Sequence, residues 1–253
     1  MSSAQLFRTV ATLLALVAMP AVAVAMEMQI TVDQNKAIAG SVTPGDAPGF
    51  PITLSQPGRY VLTSNLYPPP GTGGIEIKNH DITIDFNGFR LHGLGQATFG
   101  IRNPDFSNPW NTATIMNGVI AGFKEEAIQS GNGDFWTVEN MRILVNGAGV
   151  NLGKWARVQR NTIAFSDINV FCFDGCLVED NNISSGRIGV NIKSGNVVRN
   201  SIFNNVLHGI SGTSADSGGA VGFGENTLAG NNQGNAQVLN AKPLNPNFCT
   251  PVC

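Results

Sequence analysis

A repeat of about twenty residues is the strongest constraint on what this chain can fold into. In its first column, an apolar residue stands five places before another, and the members are Ile84/Phe89, Ile115/Ile120, Val138/Ile143, Val158/Ile163, Val178/Ile183, Val197/Ile202 and Phe223/Leu228. A second column reads Gly-apolar-x-apolar or a near relative, and four of its apolar residues are spaced by twenty: Val150, Val170, Val190 and Ile210. Helical-pair repeats have periods of about 33 residues or more, so this period excludes them.

The segments between the turns predict strands. They are short and alternate apolar with polar residues, which is typical of half-buried strands. The chain has 30 glycines and many asparagines, the residues that tolerate tight left-handed turns. If each turn of chain stacks on the last at about 4.8 Å, the backbone of every rung pairs with its neighbours. The sequence therefore predicts an all-β coil of about seven rungs.

Asparagines mark one corner of the predicted coil. They stand three residues after the first apolar position of their rungs, at Asn87, Asn161, Asn181, Asn200 and Asn226. We expect these asparagines to adopt the unusual backbone angles of the corner, and their amides to hydrogen-bond to the amides above and below. Asn117 and Asn140 are displaced by one residue, which predicts a modified turn in those rungs.

The residue before each later corner asparagine alternates in charge, as Arg160, Asp180, Arg199 and Glu225. Opposite charges one rung apart attract each other. We interpret this column as a solvated salt-bridge ladder worth under about 1 kcal/mol per pair. The alternative is an ion-binding strip.

Two phrases carry a resemblance to a known family. "IDFNGF" (84–89) and "MNGVIAGF" (116–123), together with the asparagine rungs, resemble the right-handed parallel β-helix proteins of the pectate-lyase-like superfamily over residues 52–230. The resemblance implies an all-β, single-stranded right-handed parallel β-helix (a solenoid) with N- and C-terminal caps. It also implies that the asparagine corner separates the second and third sheets, and that a groove along the first sheet holds polysaccharide. Many such proteins are bacterial and exported.

The first 25 residues predict a signal peptide. Arg8 precedes an apolar segment that ends in the small-x-small pattern at residues 23–25. An uncleaved membrane anchor is the alternative, but Pro20 interrupts the segment. No later stretch approaches the ~18 apolar residues of a membrane span. We therefore expect a periplasmic or secreted protein that is not an integral membrane protein after signal cleavage.

One repeat domain fills the rest of the chain. Residues 26–253 form the predicted β-helix domain, with an N-terminal cap at 26–70, rungs at 71–230 and a C-terminal cap at 231–253. The formal charge is only -2, with no run of Lys or Arg among aromatics, so we expect no nucleic-acid partner.

The four cysteines form two C-x-x-x-C pairs, Cys172 with Cys176 and Cys249 with Cys253. Export permits disulfides, and two local bridges fit best, although four cysteines allow three connectivities. A zinc site is the alternative, but the usual spacing of zinc ligands is tighter and the nearest histidine belongs to neither pair.

The outward column of the predicted first sheet is where we expect ligand contacts. It is Glu76, Arg102, Gln129, Asn151, Phe171, Asn191 and Ser211. Phe171 and Phe173 flank the inward Cys172, so their rings could stack on sugar faces, unless a loop or the C-terminal tail covers them. Hydrogen bonds and positive charge would come from neighbouring polar side chains. The substrate-binding candidates are Arg102, Asn151, Phe171, Phe173, Asn191 and Lys193.

Catalytic residues are not evident from the sequence. A glycosidase needs two facing carboxylates, and the outward column holds one acid. The aspartate, histidine and arginine motifs of the family's hydrolases and lyases are also missing. The remaining candidates for an acid or base are His208, Lys193 and Arg187. The metal-ligand set is predicted as none; a calcium site at Glu125, Glu126 and Asp134 is the alternative to an exposed loop.

The sequence predicts an exported β-helix protein that engages polysaccharide, of the acidic class, along the first-sheet groove, with lyase-type cleavage left open. The alternatives are a non-catalytic structural or adhesive protein of the cell envelope and, third, a cell-surface module that binds a partner.

Overall fold

The computed structural model describes residues 29–107, 110–213 and 220–253 as a parallel β-solenoid of about eight turns. The predicted fold class, an all-β right-handed parallel β-helix, is confirmed. The predicted signal peptide lies outside the described residues. Within those residues, no helix has the length and apolar character needed to cross a membrane.

The elements follow one another along the chain as β1 (Gln29–Val32), α1 (Gln34–Ala39), β2 (Ile52–Leu54), β3 (Gly58–Leu62), β4 (Ile75–Ile77), β5 (Ile82–Asp85), β6 (Arg90–His92), β7 (Ile101–Arg102), β8 (Ala113–Ala121), β9 (Glu126–Gln129), β10 (Thr137–Leu144), β11 (Ala148–Leu152), β12 (Arg157–Gln159), β13 (Thr162–Ala164), β14 (Ile168–Cys172), β15 (Cys176–Glu179), β16 (Asn182–Ser184), β17 (Ile188–Ile192), β18 (Gly195–Val198), β19 (Ser201–Phe203), β20 (Ile210–Gly212), β21 (Val221–Gly224), β22 (Thr227–Ala229), β23 (Val238–Leu239), β24 (Lys242–Pro243) and β25 (Phe248–Thr250).

These strands form three faces around one core. The first sheet has nine strands in the order β2-β4-β7-β9-β11-β14-β17-β20-β23. The other sixteen strands form one hydrogen-bonded sheet that bends into a second and a third row. The bend is bridged by β8 and β10, which are long enough to pair with strands of both rows. The second row runs from β1 to β24, and the third from β6 to β25.

The stack is longer at both ends than the repeat predicted. In the N-terminal segment β2 pairs with β4, and in the C-terminal segment β23 pairs with β20. Strands therefore occupy part of the two segments interpreted as caps. The proline-rich sequence around β2 obscures its alternation, although Ile52 and Leu54 are buried like the apolar residues of later rungs.

In-register stacking of the core is the arrangement that the twenty-residue spacing predicts. Val150 pairs with Val170, Val170 with Val190, and Val190 with Ile210. All four side chains are fully buried. Each rung therefore contributes one apolar side chain to a continuous file, and burial of such a side chain stabilises the fold by roughly 1.5–3 kcal/mol.

The asparagine corner is a buried ladder of amides. Asn161 Nδ2 donates to Asn181 Oδ1 at 3.0 Å, Asn181 Nδ2 to Asn200 Oδ1 at 2.9 Å, and Asn200 Nδ2 to Asn226 Oδ1 at 3.1 Å. Each Oδ1 also accepts the backbone N–H of the asparagine one rung earlier. The amides therefore satisfy backbone groups that the corner removes from the strand ladder.

The expected backbone role of these asparagines is wrong in the later rungs. There the left-handed residue is the one before each asparagine, with φ of 55–58° at Arg160, Asp180, Arg199 and Glu225. In the preceding rung the left-handed residue is Asn140 itself, with φ of 52°, and it is followed by Met141. The amide must point inward to reach its partners, so the preceding residue makes the turn and directs its side chain to solvent. Asn140 pairs in register with Arg160, which explains its displacement by one residue.

The charged column forms only in part. Arg199 Nε donates to Asp180 Oδ1 at 2.9 Å, as predicted, whereas Arg160 pairs with Glu139. Arg199 also contacts Glu179, so the acids immediately before the turn compete for the same arginines. The arginines of these pairs are half-exposed, so the pairs contribute little stability.

A second amide ladder occupies the corner between the third row and the first sheet, and the sequence pattern did not reveal it. Asn169 Nδ2 donates to Asn205 Oδ1 at 3.2 Å, Asn205 Nδ2 to Asn231 Oδ1 at 2.8 Å, and Asn231 Nδ2 to Gln237 Oε1 at 2.7 Å. All four residues are buried. Two of the three corners are thus fixed by the same chemistry.

Asn181→Ala is expected to lower the free energy of unfolding by about 2–4 kcal/mol, because the buried N–H and Nδ2 of Asn161 both lose their acceptor. Urea unfolding measures the change. Asn182→Ala is the matched control, since Asn182 is the exposed next residue. An Asn181→Ala variant as stable as this control would contradict the ladder's role.

Candidate functional site

The outward residues of the first sheet form one continuous column. Register pairs join Glu76 to Arg102, Gln129, Asn151, Phe171, Asn191 and Ser211 in turn. Side chains one rung apart therefore stand about 4.8 Å apart along the axis. This column is the floor on which a ligand running along the solenoid would lie.

A cavity of about 590 Å³ opens where the column meets the loops that follow the first-sheet strands. We call it the first-sheet cavity, and its lining is Ser107, Gly131, Asn132, Asp134, Asn151, Leu152, Gly153, Lys154, Phe171 and Phe173. Three of the six predicted substrate-binding residues are in this lining. The volume falls in the range of about 300–1,000 Å³ typical of small-molecule sites.

The two phenylalanines reach the cavity from alternate positions at the end of one strand. Phe171 is half-buried on β14, and Phe173 is 40% exposed just after it. Between them, Cys172 points into the core and is bonded to Cys176, so the bridge encloses the turn that carries Phe173. The described C-terminal tail contributes no residue to the lining. The turn is held further by the bond from Phe173 N to Leu152 O, at 3.1 Å.

Both predicted local disulfides are confirmed, Cys172–Cys176 and Cys249–Cys253. The first lies in the core beneath the cavity. The second closes the tail after β25.

Two lysines bring positive charge to this region. Lys154 lines the cavity, and Lys193 lies over the ring of Phe173 with its Nζ 4.2 Å from the ring centroid. Lys193 Nζ also contacts Asp174 Oδ2 at 3.2 Å. The ammonium groups and aromatic faces thus occur together, an arrangement that suits a ligand with both carboxylates and apolar ring faces.

Arg102 lies at a separate position on the same face. Its Nη2 donates to Glu76 Oε1 at 2.7 Å, and its guanidinium lies 3.8 Å from the centroid of the Phe99 ring. These groups line another cavity of about 400 Å³. Arg102 is two rungs from Asn151, about 10 Å along the axis. The structure therefore does not bring Arg102 into the first-sheet cavity.

Asn191 stacks directly on Phe171 in register and is half-buried. It continues the column by one rung beyond the first-sheet cavity without lining it. A ligand longer than the cavity would meet Asn191 next.

The three candidate acids and bases are not assembled into one site. Arg187 precedes β17 and Lys193 follows it, so roughly 20 Å of strand separates them. Arg187 Nε donates to Asp167 Oδ1 at 2.7 Å, and this hydrogen bond lowers the pKa of Asp167 and raises that of Arg187. His208 is half-buried, and its buried Nδ1 has no hydrogen-bond partner among the described residues. None of the three lines the first-sheet cavity.

The acids considered for calcium are divided between sites. Glu125 lines the cavity near Arg102, whereas Asp134 lines the first-sheet cavity, where its Oδ1 accepts the backbone N–H of Lys154 at 3.0 Å. Within the part of the chain that the structure describes, no group of three or more His, Cys, Asp or Glu is placed to hold a metal ion.

Sequence reasoning identified three of the ten residues that line the cavity and missed the other seven as ligand-binding residues. Lys154, Asp134, Asn132 and Ser107 come from the loops that follow the first-sheet strands, not from the repeat itself. Their loops differ in length from rung to rung, so the twenty-residue register does not extend into them. The register could have identified Lys154. Leu152 pairs with Cys172, so Lys154, two residues after Leu152, is equivalent to Asp174 on the next rung, directly after Phe173.

No protein-family model matches the chain, and no curated protein matches it. Among solved structures, the crystal structure of Dettilon tailspike protein (gp208) is similar, with a TM-score of 0.44 and 13% sequence identity. The similar region covers 74% of this chain and 55% of that chain, so this chain spans about half of the tailspike's length. Function is therefore inferred from the side chains of this chain alone.

Replacing Cys172 and Cys176 together by Ala is expected to lower the free energy of unfolding by about 2 kcal/mol, because the unfolded chain gains conformational freedom when this short loop is opened. The turn at 173–175 should also exchange its amide hydrogens faster. Hydrogen exchange measures this local effect. Replacing Cys249 and Cys253 by Ala should leave exchange at 173–175 unchanged. Equal exchange in the wild type and the Cys172/Cys176 variant would show that the bridge does not hold the turn.

Proposed function

We propose that this chain is an exported polysaccharide-binding protein whose first-sheet cavity holds an acidic glycan. The observation that carries the proposal is the convergence of Phe171, Phe173, Asn151 and Lys154 on one cavity. Aromatic rings stack on the apolar faces of sugar rings, amides bind hydroxyl groups, and ammonium groups attract carboxylates. Lys193, beside Phe173, adds a second cation.

The geometry favours binding over cleavage. Asp134 is the one carboxylate in the described lining of the cavity, and glycosidases act with a pair of carboxylates about 5–10 Å apart. Of the three basic candidates for a lyase reaction, Arg187 and Lys193 are each engaged by an aspartate, and His208 is not in the lining of the cavity. A solenoid that presents a fixed column of side chains suits binding to a repeating polymer.

Export is part of the proposal. Two disulfides are typical of proteins that fold in an oxidising compartment, which favours a periplasmic or secreted location. The pattern of residues 1–25 supports the same location, as argued from the sequence.

The test is binding of polygalacturonate and alginate by isothermal titration calorimetry, with absorbance of unsaturated products and reducing ends followed in parallel. We expect binding without either product. Phe171→Ala together with Phe173→Ala should weaken affinity by more than about 10-fold, because both stacking faces are removed.

Phe248→Ala is the control, since Phe248 is an exposed phenylalanine of the third row, on another face. It should bind like the wild type. Failure of the wild type to bind either polymer, or unchanged affinity in the double variant, would contradict the proposal and favour a structural or adhesive protein. Formation of unsaturated products would show that the protein is a lyase, and formation of reducing ends alone would show that it is a hydrolase; either result would contradict binding without cleavage.

A further inference from the structure

The corner between the first sheet and the second row carries a second set of exposed aromatic rings. Thr83 pairs with Thr114, Thr114 with Thr137, and Thr137 with Arg157. Arg157 in turn pairs with Leu177 of the next rung. The residues two places earlier in the sequence form one vertical file, which we call the corner column. It consists of Asp81, Thr112, Phe135, Trp155 and Gly175. Backbone bonds from Phe135 N to Lys154 O and from Trp155 N to Asp174 O join its lower rungs.

The aromatic residues of the corner column are costly for the turn. Phe135 and Trp155 are left-handed, with φ of 59° and 52°, and both are 52% exposed. In the same file, Asp81 and Gly175 are of the types that tolerate this conformation readily. Left-handed backbone at an exposed bulky residue also occurs at Leu94, Val145 and Phe165, so it does not by itself mark a site. What distinguishes this corner is that the aromatic side chains of two successive rungs stack on each other.

The two rings form a platform. Their centroids are 5.0 Å apart and their planes differ by 20°. Beneath them, Gly175 lies so close that a Cβ would stand 2.6 Å from Trp155 Cδ1. Trp155 thus has Phe135 on one side and Gly175 on the other, which fixes the platform from below.

A cavity of about 240 Å³ lies on the Phe135 side of the platform. Its lining is Asp81, Ile82, Thr83, Thr112, Ala113, Thr114 and Phe135. The side chains of Thr83 and Thr114 are register neighbours, and Thr112 Oγ1 lies 3.0 Å from Asp81 Oδ1. The site therefore combines one aromatic ring, three hydroxyl groups and one carboxylate in a space smaller than drug-sized pockets of about 300–1,000 Å³.

From this geometry we infer a second binding site, which holds a single neutral sugar ring against Phe135. The apolar face of the sugar contacts the phenyl ring, and its hydroxyl groups exchange hydrogen bonds with Thr83, Thr114 and Asp81. This site shares no lining residue with the first-sheet cavity, although Lys154 of that cavity has its Nζ 5.9 Å from the centroid of the Trp155 ring. Binding of neutral glycosides is therefore a separate measurement from binding of acidic polymers.

The carboxylate selects a neutral ligand. The pKa of Asp81 lies below its usual range, mainly because of a hydrogen bond with His80 and secondly because of one from Thr112. Asp81 is therefore charged at neutral pH. Its side chain is 75% exposed and faces incoming ligand. A uronate would meet like charge at this position, whereas the hydroxyl groups of a neutral hexose donate to it.

The test uses the methyl glycosides of glucose, galactose, mannose and N-acetylglucosamine, with saturation-transfer NMR and calorimetry on the full chain. We expect at least one to bind, with transfer concentrated on one face of the sugar. Phe135→Ala should weaken binding by more than about 10-fold. Thr114→Val, which keeps the side-chain shape, should weaken it by about 2- to 13-fold through the loss of one hydrogen bond.

Phe165→Ala is the matched control, because Phe165 is also left-handed, with φ of 62°, and 60% exposed, but lies on another corner. It should bind like the wild type. Phe135→Gly removes the ring while suiting the left-handed turn, so it tests the ring in a folded protein if Phe135→Ala unfolds. Absence of binding by all four glycosides, or wild-type affinity in Phe135→Gly, would overturn the inference.

Discussion

The hydrogen-bonded stacking of one rung on the next, in register, is the constraint on which the whole molecule depends. Parallel strands pair at a fixed spacing, so residues one repeat apart become vertical neighbours. Burial then selects which columns are apolar, as in the file from Val150 to Ile210. The two amide ladders hold this register at two of the three corners, because each amide bonds to the rung beside it.

The same constraint places the functional surfaces. Because equivalent positions of successive rungs lie above one another, the outward residues of a sheet form a column along the axis, and so do the residues at each corner. The first-sheet cavity arises where Asn151 and Phe171 of adjacent rungs meet the variable loops. The platform of Phe135 and Trp155 arises where two adjacent turns both carry aromatic residues. Each site is therefore built from neighbouring rungs that are about twenty residues apart in sequence.

The sequence was sufficient for features that obey the repeat. The stacked all-β coil and the file through Val190 follow from periodicity, because every rung faces the same packing problem. The right-handed β-helix class came from the family resemblance, and the two local disulfides from the C-x-x-x-C spacing together with the predicted export. The direction of the corner asparagines did not follow, since the pattern does not distinguish the residue that turns the chain from the residue that points inward. The true turn residues, such as Arg160 and Arg199, would be unusual choices for left-handed backbone on propensity alone.

The repeat also did not predict the site residues that lie in loops, because insertions between strands change the number of residues from one rung to the next. Lys154 and Asp134 join the first-sheet cavity through loops of different length. Phe135 left a detectable signal, since extending the second-row register by two residues places it directly beside Trp155. The corner lies outside the alternation of the strands, so that alternation did not predict it.

Cysteine cross-linking tests the register most directly. Thr162 and Asn182 pair in adjacent rungs, so their Cα atoms stand about 4.8 Å apart, within the range that a disulfide spans. The Thr162→Cys plus Asn182→Cys variant should form an intramolecular disulfide on mild oxidation. The Thr162→Cys plus Ser184→Cys variant, displaced by two residues to about 8 Å, should not. Efficient bridging of the second pair, or none of the first, would contradict the in-register solenoid.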